Sequence, residues 1–148
     1  VVSSTKIRNA LCAGDIDLAN NLLGYKFFFQ GKINQGKGIG RTIGFPTANI
    51  EVENKNKIIP GNGVYAVFLE LEGNKHKGML NIGFNPTFEG KKLSIELNIF
   101  NFESNIYNKK VTVFFKNKIR NEKKFNSVEE LKSQLSKDKI SAENYLAV

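Results

Sequence analysis

Between Gly31 and Asn49 the chain concentrates residues suited to holding phosphate. Gly36, Gly38, Gly40 and Gly44 let the backbone turn through positive φ and approach a ligand closely, and successive N–H groups in such a loop can form an anion-binding nest. Lys37 and Arg41 add positive charge in the same loop. On the glycines alone, a hairpin that binds nothing reads equally well. No Gly-Lys-Ser/Thr follows and a strand rather than a helix comes next, which excludes a Walker-type loop; the βαβ context of a dinucleotide fingerprint is also absent. Pro46-Thr47-Ala48-Asn49 then sets a hydroxyl and an amide oxygen two residues apart, on one face of an extended chain. Hard oxygen ligands of this kind suit Mg²⁺ held largely by phosphates and water. The same two residue types also satisfy backbone groups at ordinary turns.

A second candidate lies in Leu93-Ser94-Ile95-Glu96-Leu97-Asn98-Ile99, where apolar side chains alternate with polar ones. Glu96 falls on the polar face, and its carboxylate could take the proton of an attacking hydroxyl. Pairing with a surface lysine is the other reading of a strand glutamate in so basic a chain. The single cysteine, Cys12, excludes an internal disulfide framework and a cysteine-rich zinc site. Neither Cys12 nor the one histidine, His76, has an assignable role.

The elements that must position these residues are mostly strands: Tyr25–Gln35, Phe45–Val52, Val64–Glu72, His76–Ile82, Leu93–Phe102 and Val111–Ile119, separated by Gly, Asn, Pro or Lys clusters. Parallel crossovers would each need a helix for which there is no room, so the pattern predicts antiparallel pairing in a small closed or half-open barrel. Helices are predicted at Lys6–Leu11, capped from Ser3, Ser4 or Thr5, and at Ile16–Leu23, capped by Asp15 and stopped by Gly24. At the other end Ser127 and Glu130 form a capping box for a helix through Lys137, and a second short helical turn is expected from Ser141 to Leu146.

The chain has 148 residues, one domain's worth, with a possible short appendage at residues 1–24. It carries 22 Lys+Arg against 14 Asp+Glu, a net charge of +8, which points to an anionic partner without choosing among nucleic acid, a phosphorylated small molecule and an acidic surface. No apolar run approaches the roughly 20 residues that span a bilayer, and the first residues lack the order of a secretory signal. A reduced, cytoplasmic protein away from membranes is the expectation.

Gly36-x-x-x-Gly40-Arg41-x-x-Gly44-Phe45-Pro46-Thr47-Ala48-Asn49 resembles the ATP-binding flap and PTAN motif of riboflavin kinases. The likeness continues in order through Gly63-Val64-Tyr65-Ala66, Asn81-Ile82-Gly83-x-x-Pro86-Thr87-Phe88, Glu96-x-x-Ile99, Tyr107 and Ile119-Arg120-x-Glu122-x-x-Phe125 to a final helix. Val2-Ser3-Ser4-Thr5-Lys6-Ile7-Arg8 is similar to the segment that closes the adenylyltransferase module of bacterial bifunctional FAD synthetases. The resemblance implies a mainly β fold, a six-stranded antiparallel Greek-key barrel with a C-terminal helix. Residues 25–148 would form the kinase domain, and residues 1–24 the connector from an N-terminal adenylyltransferase module absent from this sequence. The HxGH motif of that module is also absent, so FAD synthesis is not expected of these residues.

The implied activity is transfer of the ATP γ-phosphoryl group to the ribityl 5′-hydroxyl of riboflavin, giving FMN and ADP. By resemblance Glu96 is the general base, and Thr47 and Asn49 help hold Mg²⁺. Gly36, Lys37, Gly38, Gly40, Arg41, Gly44, Pro46, Thr47 and Tyr107 would face ATP. Phe88, Arg120, Glu122 and Phe125 would face the flavin, although Phe88 and Phe125 could equally be core filler in a chain with 12 Phe and no Trp. Three positions depart from the pattern. Gln35 and Asn98 stand where many relatives have His, and Asn108 where they have Gly, a position Asn can fill in left-handed conformation.

Two rival readings remain. A basic barrel could bind nucleic acid by stacking bases on exposed aromatics, but the aromatics are expected mostly at inward positions and the basic residues do not interleave with them. A non-catalytic flavin or nucleotide binder on the same scaffold would need no base, which Thr47, Asn49 and Glu96 together argue against.

Overall fold

The computed structural model describes residues 4–35, 44–102 and 104–147. Helices α1 (Ser4–Ala13) and α2 (Ile16–Leu23) precede six strands, β1 (Phe28–Gln35), β2 (Ala48–Val52), β3 (Gly63–Leu71), β4 (Asn74–Thr87), β5 (Gly90–Ile99) and β6 (Lys110–Arg120), and helix α3 (Val128–Leu146) follows. The strands close into a barrel in the order β1-β2-β5-β4-β3-β6, every described pairing antiparallel. Hairpin-linked β3, β4 and β5 with β6 returning beside β3 make a Greek key, as expected.

Alternation sorts the strands into two faces. Ile33, Ile50, Val67, Leu69, Leu80, Ile95, Leu97 and Val113 fill the interior. On β3 the apolar run Val64-Tyr65-Ala66-Val67 is continuous because its outer face is covered too: Val64 and Ala66 pack with Met79, Phe100 and the α3 residues Ala142 and Leu146. The site described below is built on this helix-covered outer face.

Three expectations are corrected. The C-terminal helix is one piece of 19 residues, not two, because nothing between Lys137 and Ser141 breaks it. β4 runs on through Thr87 rather than ending at Ile82. Beyond Ile82 its pairing among the described residues is with β5, and edge strands are where a sheet tolerates proline. Finally, Phe28, Phe68 and Phe114 lie on the outer face, opposite one another across β1, β6 and β3. Two of the rings lie under lysines of the same chain, Phe28 under Lys57 at 5.1 Å and Phe68 under Lys26 at 5.2 Å, and Phe114 packs on Phe28 with ring centres 5.6 Å apart.

The two N-terminal helices dock on the barrel. Asp15 caps α2 by accepting from Leu18 N, and Gly24 ends it at φ +81°, both as predicted. Ala10, Leu11, Ile16 and Ala19 are buried in the same core as Phe29, Tyr65 and Phe115. Asn20 stitches the junction, donating Nδ2 to Phe115 O at 3.0 Å and accepting from Phe27 N at 2.7 Å. Tyr65 donates its hydroxyl to Gly61 O at 2.6 Å, and burial raises its pKa well above the usual tyrosine value.

Candidate active site

Register places the central residues. Glu96 on β5 lies directly opposite Asn49 on β2 and Asn81 on β4, and directly opposite residues of neighbouring antiparallel strands share a face. Asn49, Glu96 and Asn81 therefore form one row across the barrel's outer surface. The neighbouring row carries Asn98, which is 7% exposed and donates Nδ2 to Pro46 O at 2.7 Å. This contact ties the segment ahead of β2, including Thr47, to β5.

Two cavities meet at this place. The smaller, about 260 Å³, lies between the barrel and α3. Val64, Met79, Asn81, Glu96 and Asn98 form its barrel wall, Leu131 and Leu135 its helix wall, and Arg120, Glu122, Lys123 and Phe125 the segment between β6 and α3. Phe45 and Thr47 complete it. The larger, about 520 Å³, is bounded by Pro46, Thr47, Ala48, Leu97 and Ile99 and by Phe102, Ser104, Asn105, Ile106 and Tyr107. Thr47 borders both. An apolar lining with a few convergent polar groups is the usual composition of a small-molecule site.

The segment after β6 is tightly held. Arg120 forms a bidentate ion pair with Asp138 of α3, its closest contact 2.8 Å, and its guanidinium lies 5.7 Å from the Phe125 ring centre. Ser127 caps α3 by accepting from Glu130 N, the N-cap half of the expected capping box. Glu122 leans on Gly83, where an added Cβ would lie 2.7 Å from its Oε1.

The structure thus brings Thr47, Glu96, Arg120, Glu122 and Phe125 to one cavity, and Pro46, Thr47 and Tyr107 to the other. Asn108, next to Tyr107, takes φ +68°, the left-handed turn that its residue type allows. Gly44 takes φ +87°. Gly36, Lys37, Gly38, Gly40 and Arg41 lie outside the described residues. Phe88 stands fully exposed at the β4–β5 turn, away from the core and from both cavity linings. Sequence reasoning did not single out Asn81, Lys123, Leu131 and Leu135 of the smaller cavity, nor Phe102, Ser104 and Asn105 of the larger. The Asn81-Ile82-Gly83 motif and the apolar stripe of the capped helix were the available signals for the first group.

The oxygen donors around this place are a hydroxyl (Thr47, bordering both cavities), a carboxylate (Glu96, on the wall of the smaller) and an amide oxygen (Asn49, opposite Glu96 in register but lining a third cavity, with Asn34 and Glu51, rather than either of these two). These are hard oxygens of the kind Mg²⁺ takes. Among the described residues no group of three or more His, Cys, Asp or Glu could hold a metal ion. No helix of the described residues is long and apolar enough to cross a membrane.

Comparison with known proteins identifies the family. The family model for riboflavin kinase (flavokinase) matches residues 23–146. The bifunctional riboflavin kinase/FMN adenylyltransferase of Bacillus subtilis is 44% identical over 149 residues, covering 99% of this chain and 47% of that protein. The protein of the same name from Pseudomonas fluorescens is 39% identical, covering 95% of this chain and 45% of that protein. The chain therefore spans about half the length of these relatives. A Streptococcus pneumoniae structure described as a macrolide-efflux protein superposes with a TM-score of 0.92 at 38% identity, over 97% of this chain and 47% of that one. Riboflavin kinase from Trypanosoma brucei, at 23% identity and a TM-score of 0.56 over 80% of this chain and 76% of that one, shares the fold.

Proposed function

This chain belongs to the riboflavin kinase family, and we propose that it transfers the γ-phosphoryl group of ATP to the ribityl 5′-hydroxyl of riboflavin, giving FMN and ADP. The observation that carries this reading is Thr47 bordering two cavities, one of them walled by Glu96. A two-substrate transfer needs two binding sites joined at the reacting atoms.

In this reading the larger cavity takes the nucleotide, between Pro46 and the segment through Tyr107, and the smaller takes the flavin, between the barrel and α3. Glu96 accepts the proton of the 5′-hydroxyl as the new O–P bond forms, and the bond between the β,γ-bridging oxygen and the γ-phosphorus breaks to release ADP. Thr47, just ahead of β2, and Asn49, on it, orient the phosphates. Mg²⁺, held there with ATP, would supply charge neutralisation on the phosphate oxygens. The resemblance of Gly36–Asn49 to the family's flap assigns its glycines, with Lys37 and Arg41, to the nucleotide. Arg120, Glu122 and Phe125 bound the flavin ring; Phe88, exposed and in neither cavity's lining, is given no contact with it.

The relatives' name also includes FMN adenylyltransferase. We assign that second step, formation of FAD, to a module outside residues 1–148, joined through residues 1–24, in a cytoplasmic protein. Incubating the chain with riboflavin and MgATP and separating the flavins by chromatography tests both statements. FMN without FAD is expected, and no FMN would overturn the assignment.

A further inference from the structure

Asp138 is 1% exposed in the middle of α3, where a charged residue needs compensation. Its Oδ1 accepts from Arg120 Nε and from Gln134 Nε2, both at 2.9 Å, and its Oδ2 from Arg120 Nη2 at 2.8 Å. The same guanidinium donates Nη1 to Asn121 O at 3.0 Å and lies beside the Phe125 ring. One carboxylate therefore fixes a guanidinium that in turn fixes the backbone leaving β6 and an aromatic wall of the smaller cavity. A buried ion pair is a poor device for stability, since apolar groups of the same volume often do as well or better. Its value lies in geometry: a planar, bidentate pair sets orientation as well as distance.

We propose that Asp138 is a positioning residue for flavin recognition, acting through Arg120 to hold Arg120 and Phe125 in the shape that the flavin ring meets. The inference rests on reading the smaller cavity as the flavin's. It predicts an effect confined to one substrate, because Asp138 and Arg120 have no counterpart in the lining of the larger cavity.

The test is riboflavin fluorescence quenching together with steady-state kinetics on the wild type, on Asp138→Asn and on the double variant Arg120→Met/Asp138→Leu. The double variant removes both charges of the pair, leaving none buried and unpaired, and is expected to fold even if Asp138→Asn does not. In every folded variant the riboflavin Kd and KM are expected to rise about tenfold or more, with KM for ATP within about twofold of wild type. An unchanged riboflavin Kd in Asp138→Asn, wild-type flavin affinity in the double variant, or equal rises in KM for both substrates would overturn the proposal. A wild-type chain that makes FMN while the variants bind flavin normally removes only the role of Asp138. A wild-type chain that quenches no flavin fluorescence removes the reading of the cavity.

Discussion

The Asn98 side chain on β5 holds the Pro46 carbonyl through a 2.7 Å hydrogen bond, bridging strand β5 to the segment that delivers Thr47. β2 and β5 are paired only at Ala48↔Leu97 and Asn49↔Glu96, so this side-chain contact extends a short ladder by one rung. Removing it leaves a carbonyl without that donor beside a cavity. Asn98→Ala is expected to cost about 1–3 kcal/mol of stability and to lower kcat as Thr47 loosens. Asn98→His, which retains a ring N–H donor, is expected to stay near wild type in both. Thermal melts and turnover of the two variants check this; an Ala variant with wild-type turnover would remove the positioning role.

Glu96 lies in a row with Asn49 and Asn81 and on the wall of the smaller cavity. Glu96→Gln keeps the shape and hydrogen-bonding reach of the side chain but cannot take a proton. A kcat loss of about 10²- to 10⁴-fold is expected, with ADP affinity within about twofold of wild type. Single-turnover FMN formation and ADP titration separate the two effects.

Much of this site was legible in sequence because it depends on local pattern. The two-residue period of Leu93–Ile99 put Glu96 on the polar face, and the strand expected at Phe45–Val52 is present from Ala48. Asp15, Gly24 and Ser127 announced their caps by residue type alone. What was hidden depends on contacts between distant segments. Asp138 falls between the two helical pieces expected from sequence, and its role shows only when Arg120, 18 positions earlier, is brought against it. Asn98 looked like a lost histidine, but its partner is a backbone carbonyl 52 residues away, which no composition rule reveals. The outward row of Phe28, Phe114 and Phe68 was missed for the same reason: it exists only in the register of β1, β6 and β3.

The N-terminal helices are expected to contribute to the barrel's stability rather than to trail from it. Leu11 is 1% exposed in the shared core, and Leu11 O accepts from Gly61 N at 3.0 Å. Leu11→Ala is expected to cost roughly 2–5 kcal/mol, read as a lower urea midpoint with an unchanged slope. A midpoint equal to wild type would show that α1 contributes nothing to the fold of the barrel.

Thr47 is the residue that both cavities share, so its hydroxyl is placed to act on the group that passes between them rather than on the far end of either substrate. Thr47→Val preserves the side-chain volume and removes only the oxygen. The loss is therefore expected in kcat, about 10- to 100-fold, with KM for riboflavin changed by less than about threefold and a higher Mg²⁺ concentration needed for half-maximal rate. Thr47→Ser keeps the hydroxyl and is expected to retain most of the activity. Magnesium titrations at saturating riboflavin distinguish the two variants. Equal rates for Val and Ser would mean that the oxygen is not used and that Thr47 only shapes the passage between the cavities.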